Sequence, residues 1–101
     1  MVVILTKITK RIMNKIMLIT TKGCEGCTIA RNSIKDAINQ TKKSVTFEEK
    51  DTTEVSNKFL RIFKIEDFPA ILLFKDEKLK VRKIGSVPSI VVLRWINVNF
   101  D

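Results

Sequence analysis

Two cysteines stand three positions apart in Cys24-Glu25-Gly26-Cys27, and the chain has no others. Ahead of them Ile16-Met17-Leu18-Ile19-Thr20 has the length and content of a strand buried on both faces. Behind them Cys27, Ala30, Ile34, Ala37 and Ile38 recur on one helical face, with Arg31, Lys35 and Asp36 off it. Cys24 therefore falls where a buried strand gives way to a helix. Unpaired backbone N–H groups and the helix macrodipole stabilise a thiolate there, drawing its pKa from about 8.5 toward ~7 or below. The second sulfur, one turn on, can close onto the first and release a molecule bound to it. The chemistry served by this spacing is exchange between thiols and disulfides. Zinc uses the same spacing but takes four ligands. With no histidine and no third cysteine, an ion would need carboxylates or a second chain. A purely structural disulfide, or an inert pair, is the other alternative.

The rest of the chain supplies elements to position this pair. Val2 to Leu5 reads as a short strand. Ile4, Ile8 and Ile12, with Met13 and Ile16 near the same face, suit one amphipathic helix. Val45 to Lys50 is a further strand, and Asp51 with Glu54 three residues on has the form of a capping box. The helix it opens carries Val55, Phe59 and Phe63, four apart, with Ile62 beside them. Asp67-Phe68-Pro69 introduces a wholly apolar strand, Ala70 to Phe74. Lys75 to Lys78 forms a polar turn, and Leu79-Lys80-Val81-Arg82 alternates as an edge strand with one wet face should, so the two make a hairpin. Ser86-Val87-Pro88 starts a last helix with the proline inside its first turn, running from Ser89 to about Asn99. The order β-α-β-α-β-α-β-β-α gives an α/β fold with a mixed four- or five-stranded sheet flanked by helices. A chain of 101 residues without linker or repeat is one domain, 1–101.

Charge and composition narrow the partners. The net charge is +8, and Lys7, Lys10, Arg11, Lys15 and Lys22 precede the first acid. A basic balance favours acidic partners or simply a solvated face. Nucleic acid is not expected, because the chain has no Tyr and a single Trp on which bases could stack. The apolar start is broken by Lys7, Lys10 and Arg11, unlike a secretory leader, and no run is long enough to span a membrane. The expected compartment is the cytoplasm, with no membrane partner. In the last helix, Ile90, Val91 and Leu93 cannot all be buried beside Val92, Trp95 and Ile96, since each residue turns the helix by about 100°. Two readings stay open: the N-terminal residues cover part of this helix, or it is the contact surface for a partner or a second copy, as a weak homodimer.

The segment Phe68-Pro69-Ala70-Ile71-Leu72-Leu73-Phe74-Lys75-Asp76, the Lys83-Ile84-Gly85 that follows it and the interval from Cys27 to Pro69 together resemble the thioredoxin family. The resemblance covers residues from about 16 to 98. It implies a thioredoxin-like fold and a protein-disulfide reductase with Cys24 as nucleophile and Cys27 as resolving thiol. Pro69 would be a cis-proline against the cysteine pair, and the backbone of Phe68 would bind the substrate chain, with Gly23 and Gly85 completing the substrate-binding rim. It further implies no cofactor beyond the Cys24–Cys27 disulfide, no metal, disulfide-containing proteins as substrates and a separate reductase that recharges the pair. The departures are specific. Gly23 replaces the family's usual tryptophan, Glu25-Gly26 its Gly-Pro, and Ala70 a common Thr. Leu18 falls where a buried Asp is used in proton transfer, and Phe47 near the Lys that partners it. Glutaredoxins also lack that Asp, but the Thr-Val-Pro and Gly-Gly segments with which they hold glutathione are absent here. Protein substrates are therefore expected ahead of glutathione, and a thioredoxin-fold binding or adaptor module is the rival from another class.

Overall fold

The structure, a computed structural model, describes residues 13–101. The expected strand at Val2–Leu5 and the helix placed over Ile4 to Ile12 lie outside the described residues. The first described strand, β1 (Asn14–Thr20), starts two residues before the apolar run and is followed by α1 (Glu25–Gln40). Then come β2 (Thr46–Asp51), a 3-10 turn (Thr52–Glu54) and a short α2 (Asn57–Ile62). The chain closes with β3 (Ala70–Lys75), β4 (Lys78–Ile84) and α3 (Ser89–Asn99). The four described strands form one mixed sheet in the order β2-β1-β3-β4. β1 runs parallel to β2 and antiparallel to β3, and β3 antiparallel to β4.

Because side chains alternate along a strand, each central strand feeds two cores. Ile16 and Leu18 of β1, with Ile71 and Leu73 of β3, meet Ala30, Ile34 and Ala37 of α1 and Val92 and Ile96 of α3. Met17 and Ile19, with Ala70, Leu72 and Phe74, face the other way, under Phe59, Leu60 and Phe63 around α2. Ile16, Leu18, Ile19, Ile71, Leu72 and Leu73 have no exposed surface, so both central strands are buried on two sides, as their apolar runs require.

Three local expectations are corrected. The Asp51 capping box forms, with Asp51 Oδ2 accepting from Thr53 N–H and Glu54 Oε1 accepting from Asp51 N–H, but it opens the 3-10 turn. α2 has its own cap, Ser56 Oγ accepting from Phe59 N–H at 3.0 Å, and Ile62 is left mostly exposed. In the hairpin, Leu73 pairs with Val81 but Phe74 with Leu79, so Lys80 is an extra residue. This bulge puts Leu79 and Val81 on opposite faces, against the strict alternation expected, while bearing out the hairpin. Pro88 is the residue before α3, outside its first turn, with its carbonyl accepting from Val91 N–H. The hairpin loop itself is Asp76-Glu77, both with positive φ, 50° and 71°, as a type I′ turn demands. Asp76 tolerates this partly through Met13, whose N–H donates to Asp76 Oδ1 and whose carbonyl accepts from Asp76 N–H.

On α3, Val92 and Ile96 are fully buried, Val91, Leu93 and Trp95 half-buried, and Ile90 and Val98 exposed beside Arg94 and Asn97. Its C-terminal carbonyls are met by a cation: Lys43 Nζ donates to Asn97 O at 3.0 Å and Phe100 O at 2.7 Å. Lys43→Met should therefore cost about 1–2 kcal/mol, read as a thermal midpoint lower by roughly 5–10 °C for a domain of this size. An unchanged midpoint would show that the carbonyls are equally well served by water. From α1, Arg31 forks onto Glu49 of β2 with two 2.7 Å bonds. Those bonds hold the Glu49 carboxyl below its ordinary range. A depressed carboxyl contributes stability above its unfolded value, about 4.3, and loses it as pH falls through the folded value. Glu49→Gln should thus lower stability slightly at pH 7, by well under 1 kcal/mol for so exposed a pair, and the small gap in thermal midpoint should close toward pH 3.

Candidate active site

β1 ends at Thr20, and Thr21 to Gly23 turn the chain into α1. Gly23 has φ +78°, the left-handed region that glycine enters without strain, and Cys24 N–H donates back to Thr21 O across the turn. Cys24 is the N-cap of α1, the position usually filled by Ser, Thr, Asp or Asn, and it makes no side-chain capping bond. Cys24 and Cys27 are joined as a disulfide, their Cα atoms 5.4 Å apart. The two differ sharply in exposure: Cys24 is half-buried, whereas Cys27 retains only 4% of its surface. The redox group is thus part of the chain itself.

The peptide bond between Phe68 and Pro69 is cis, and Pro69 is buried. Its ring packs against Gly26, where an added Cβ would lie 3.2 Å from Pro69 Cδ. Pro69 O accepts from Gly85 N–H at 2.7 Å, and Gly85 holds φ +104° to do so. Contacts therefore run from the cysteine loop through Pro69 to Gly85. Phe68 is half-buried with its ring against the α2-side core. Gly23 stands apart from this chain of contacts, with open space where its side chain would be.

No protein-family model and no curated protein sequence matches this chain. Solved structures do. Thioredoxin-2 of the malaria parasite, described as a component of its protein secretion machinery, superposes with a TM-score of 0.74 at 20% identity, over 90% of this chain and 87% of its own. A second malarial protein gives 0.72 at 20% identity, covering 85% of this chain and 96% of the other. Chloroplastic thioredoxin z gives 0.70 at 13% identity, over 85% and 77%. The fold is that of the thioredoxins.

Within the thioredoxin fold this site has its own character. Leu18, in the place expected of a buried Asp, is wholly buried among apolar side chains. Among the described residues the buried polar side chains are Asn14 and Thr20, so no carboxylate lies in the interior. Two residues escaped the sequence reading. Gly26 reads in sequence as a spacer between cysteines, yet its Cα faces the Pro69 ring so closely that an added Cβ would be a tight contact. Asp67 carried no signal beyond its place in Asp67-Phe68-Pro69, but its Oδ1 accepts from Phe68 N–H at 2.9 Å. Among the described residues no helix is long and apolar enough to cross a membrane.

The two site glycines should respond differently to alanine. Gly23→Ala should cost about 1 kcal/mol through backbone conformation alone, and Gly23→Asn less, because Asn tolerates the left-handed region. For Gly26→Ala the cost is contact with Pro69, so it should largely vanish in a Pro69→Ala background. A double-mutant cycle on thermal or denaturant stability should return a coupling of at least about 0.5 kcal/mol. Simple additivity would mean that Pro69 yields freely and does not seal the loop.

Proposed function

We propose that this protein is a thiol–disulfide oxidoreductase that reduces protein disulfides. The observation that carries the reading is the closed Cys24–Cys27 pair at the N-terminus of α1, one sulfur reachable and the other buried, with Pro69 against the loop between them. In the reduced protein Cys24 holds the N-cap position, so its thiolate receives the N–H groups that no side chain now caps. That thiolate attacks one sulfur of a substrate disulfide; a Cys24–substrate disulfide forms and the other substrate sulfur leaves as a thiolate. Cys27 then gives up its proton and attacks Cys24 Sγ. The Cys24–Cys27 bond closes and the second substrate sulfur departs. Two electrons pass to the substrate, and its two thiolates take up protons from solvent. The second attack is intramolecular and fast because Cys27 is held one helical turn away.

Phe68 and Pro69 form the ledge on which the substrate chain lies, with Gly85 fixing the far side of Pro69. Phe68-Pro69 and Gly85-Ser86 stand where a glutathione site would need other residues, and this supports protein substrates. In a compartment that keeps thiols reduced, the cycle runs as a reductase recharged by a separate enzyme.

Each sulfur has its own test. Cys24→Ser should abolish both neutral-pH alkylation and the reduction of insulin disulfides by dithiothreitol-recycled protein. Cys27→Ser should still attack but stall as a covalent adduct that a reducing gel releases. Brief, limiting iodoacetamide followed by mass spectrometry should place the label on Cys24. Label on Cys27 instead would reverse the roles, and a wild-type rate no higher than dithiothreitol alone would sink the reading.

A further inference from the structure

Phe68 sits just outside the sheet. Both neighbours of β3 end their pairing at Ala70, Ile19 on one side and Ile84 on the other, so the peptide groups before Pro69 are off the ladder. Pro69 has no N–H to give, and its carbonyl is taken by Gly85. The last backbone donor before Pro69 is the N–H of Phe68. An extended chain that adds itself at this edge needs that donor. In this structure the donor is already held, by the exposed carboxylate of Asp67 at 2.9 Å.

We propose that Asp67 is a specificity-determining gate that favours substrates carrying a cationic side chain beside the cysteine to be attacked. A docking chain must draw the carboxylate off the Phe68 N–H. A lysine or arginine next to the substrate cysteine does this by pairing with Asp67 as the substrate's own carbonyl takes over the N–H. An acidic neighbour instead meets the displaced carboxylate at close range, with Glu25 adding like charge from the helix side of the site. Exposed Lys22 is the one cation in the loop that precedes Cys24. The rim selection therefore opposes the long-range pull of a chain with net charge +8, which draws acidic molecules in but does not seat them. Glutathione, with two carboxylates, is a poor occupant on the same ground.

This inference rests on the oxidoreductase reading, and the experiment separates the two. Short peptides with one cysteine activated as a 2-pyridyl disulfide, flanked by Lys, Ala or Glu, are mixed with fully reduced protein, and thiopyridone release gives a second-order rate for each. The wild type should favour the Lys peptide over the Glu peptide by about fivefold, the size that one exposed charge contact supports. Asp67→Asn keeps an acceptor for the Phe68 N–H and removes the charge, so the Lys-over-Glu ratio should fall toward one, while the Ala-peptide rate rises slightly because a neutral acceptor is displaced more easily than a carboxylate. Asp67→Ala frees the N–H as well, so the Ala-peptide rate should rise by at least about twofold. Equal Lys and Glu rates in the wild type, or an undiminished ratio in both variants, would overturn the gate while leaving the oxidoreductase reading intact. An Ala-peptide rate no faster than that of free dithiothreitol would overturn both.

Discussion

Ala70 is paired on one side with Ile19 and on the other with Ile84, and the site depends on this row of three. Because β3 runs against both neighbours, the end of β1, the start of β3 and the end of β4 come to one edge of the sheet. Whatever follows Ile19, precedes Ala70 or follows Ile84 is delivered to that edge. In this chain those are the cysteine turn, the Phe68-Pro69 step and Gly85. All three of Ile19, Ala70 and Ile84 point to the α2-side core, so the row is anchored by burial as well as by hydrogen bonds. A shift of one residue in either pairing would turn every apolar side chain of a central strand to the wrong face. The geometry of the chemistry is therefore secured by the packing of the core.

What surrounds the row is softer. α2 is a turn and a half long, capped by Ser56 and ended by Lys64 at φ +53°. It is tied down from the sheet by Arg82, which donates to Phe63 O at 2.8 Å and Lys64 O at 2.9 Å. Arg82 lies on the edge strand β4, where a charged side chain also discourages pairing with another molecule. The bulge at Lys80 gives that edge a twist while letting Val81 reach the α1 side. Edge protection and helix anchoring thus use the same short strand.

The parts of this architecture that were legible in the sequence are those where a pattern extends over several residues. β1 and β3 announce themselves because Ile16 to Ile19 and Ala70 to Phe74 are apolar on both faces, and α1 because Cys27, Ala30, Ile34 and Ala37 share one stripe. The cysteine pair is visible by type and spacing alone. What stayed hidden depends on single residues whose meaning is set by a distant partner. Lys80 looks like one more polar position in an alternating strand until the register with Leu73 and Phe74 is known. Asp51 and Glu54 satisfy a helix-start pattern equally well when the turn they open is three residues long. Gly26 acquires its role only from Pro69, more than forty positions away, and Asp67 from an N–H that the sheet fails to use. Pairing across the chain decides such cases, and composition does not record it.

The apolar setting of Leu18 reaches beyond packing. In a dithiol cycle electrons and protons move together, and an interior carboxylate would lend its proton on the spot and reclaim it later. Here the described interior holds no carboxylate, so in the proposed cycle the proton given up by Cys27 has no interior acceptor and must go to water. Under that proposal the pair would be coupled to the acidity of its surroundings much as a small free dithiol is, with the fold contributing orientation and shelter.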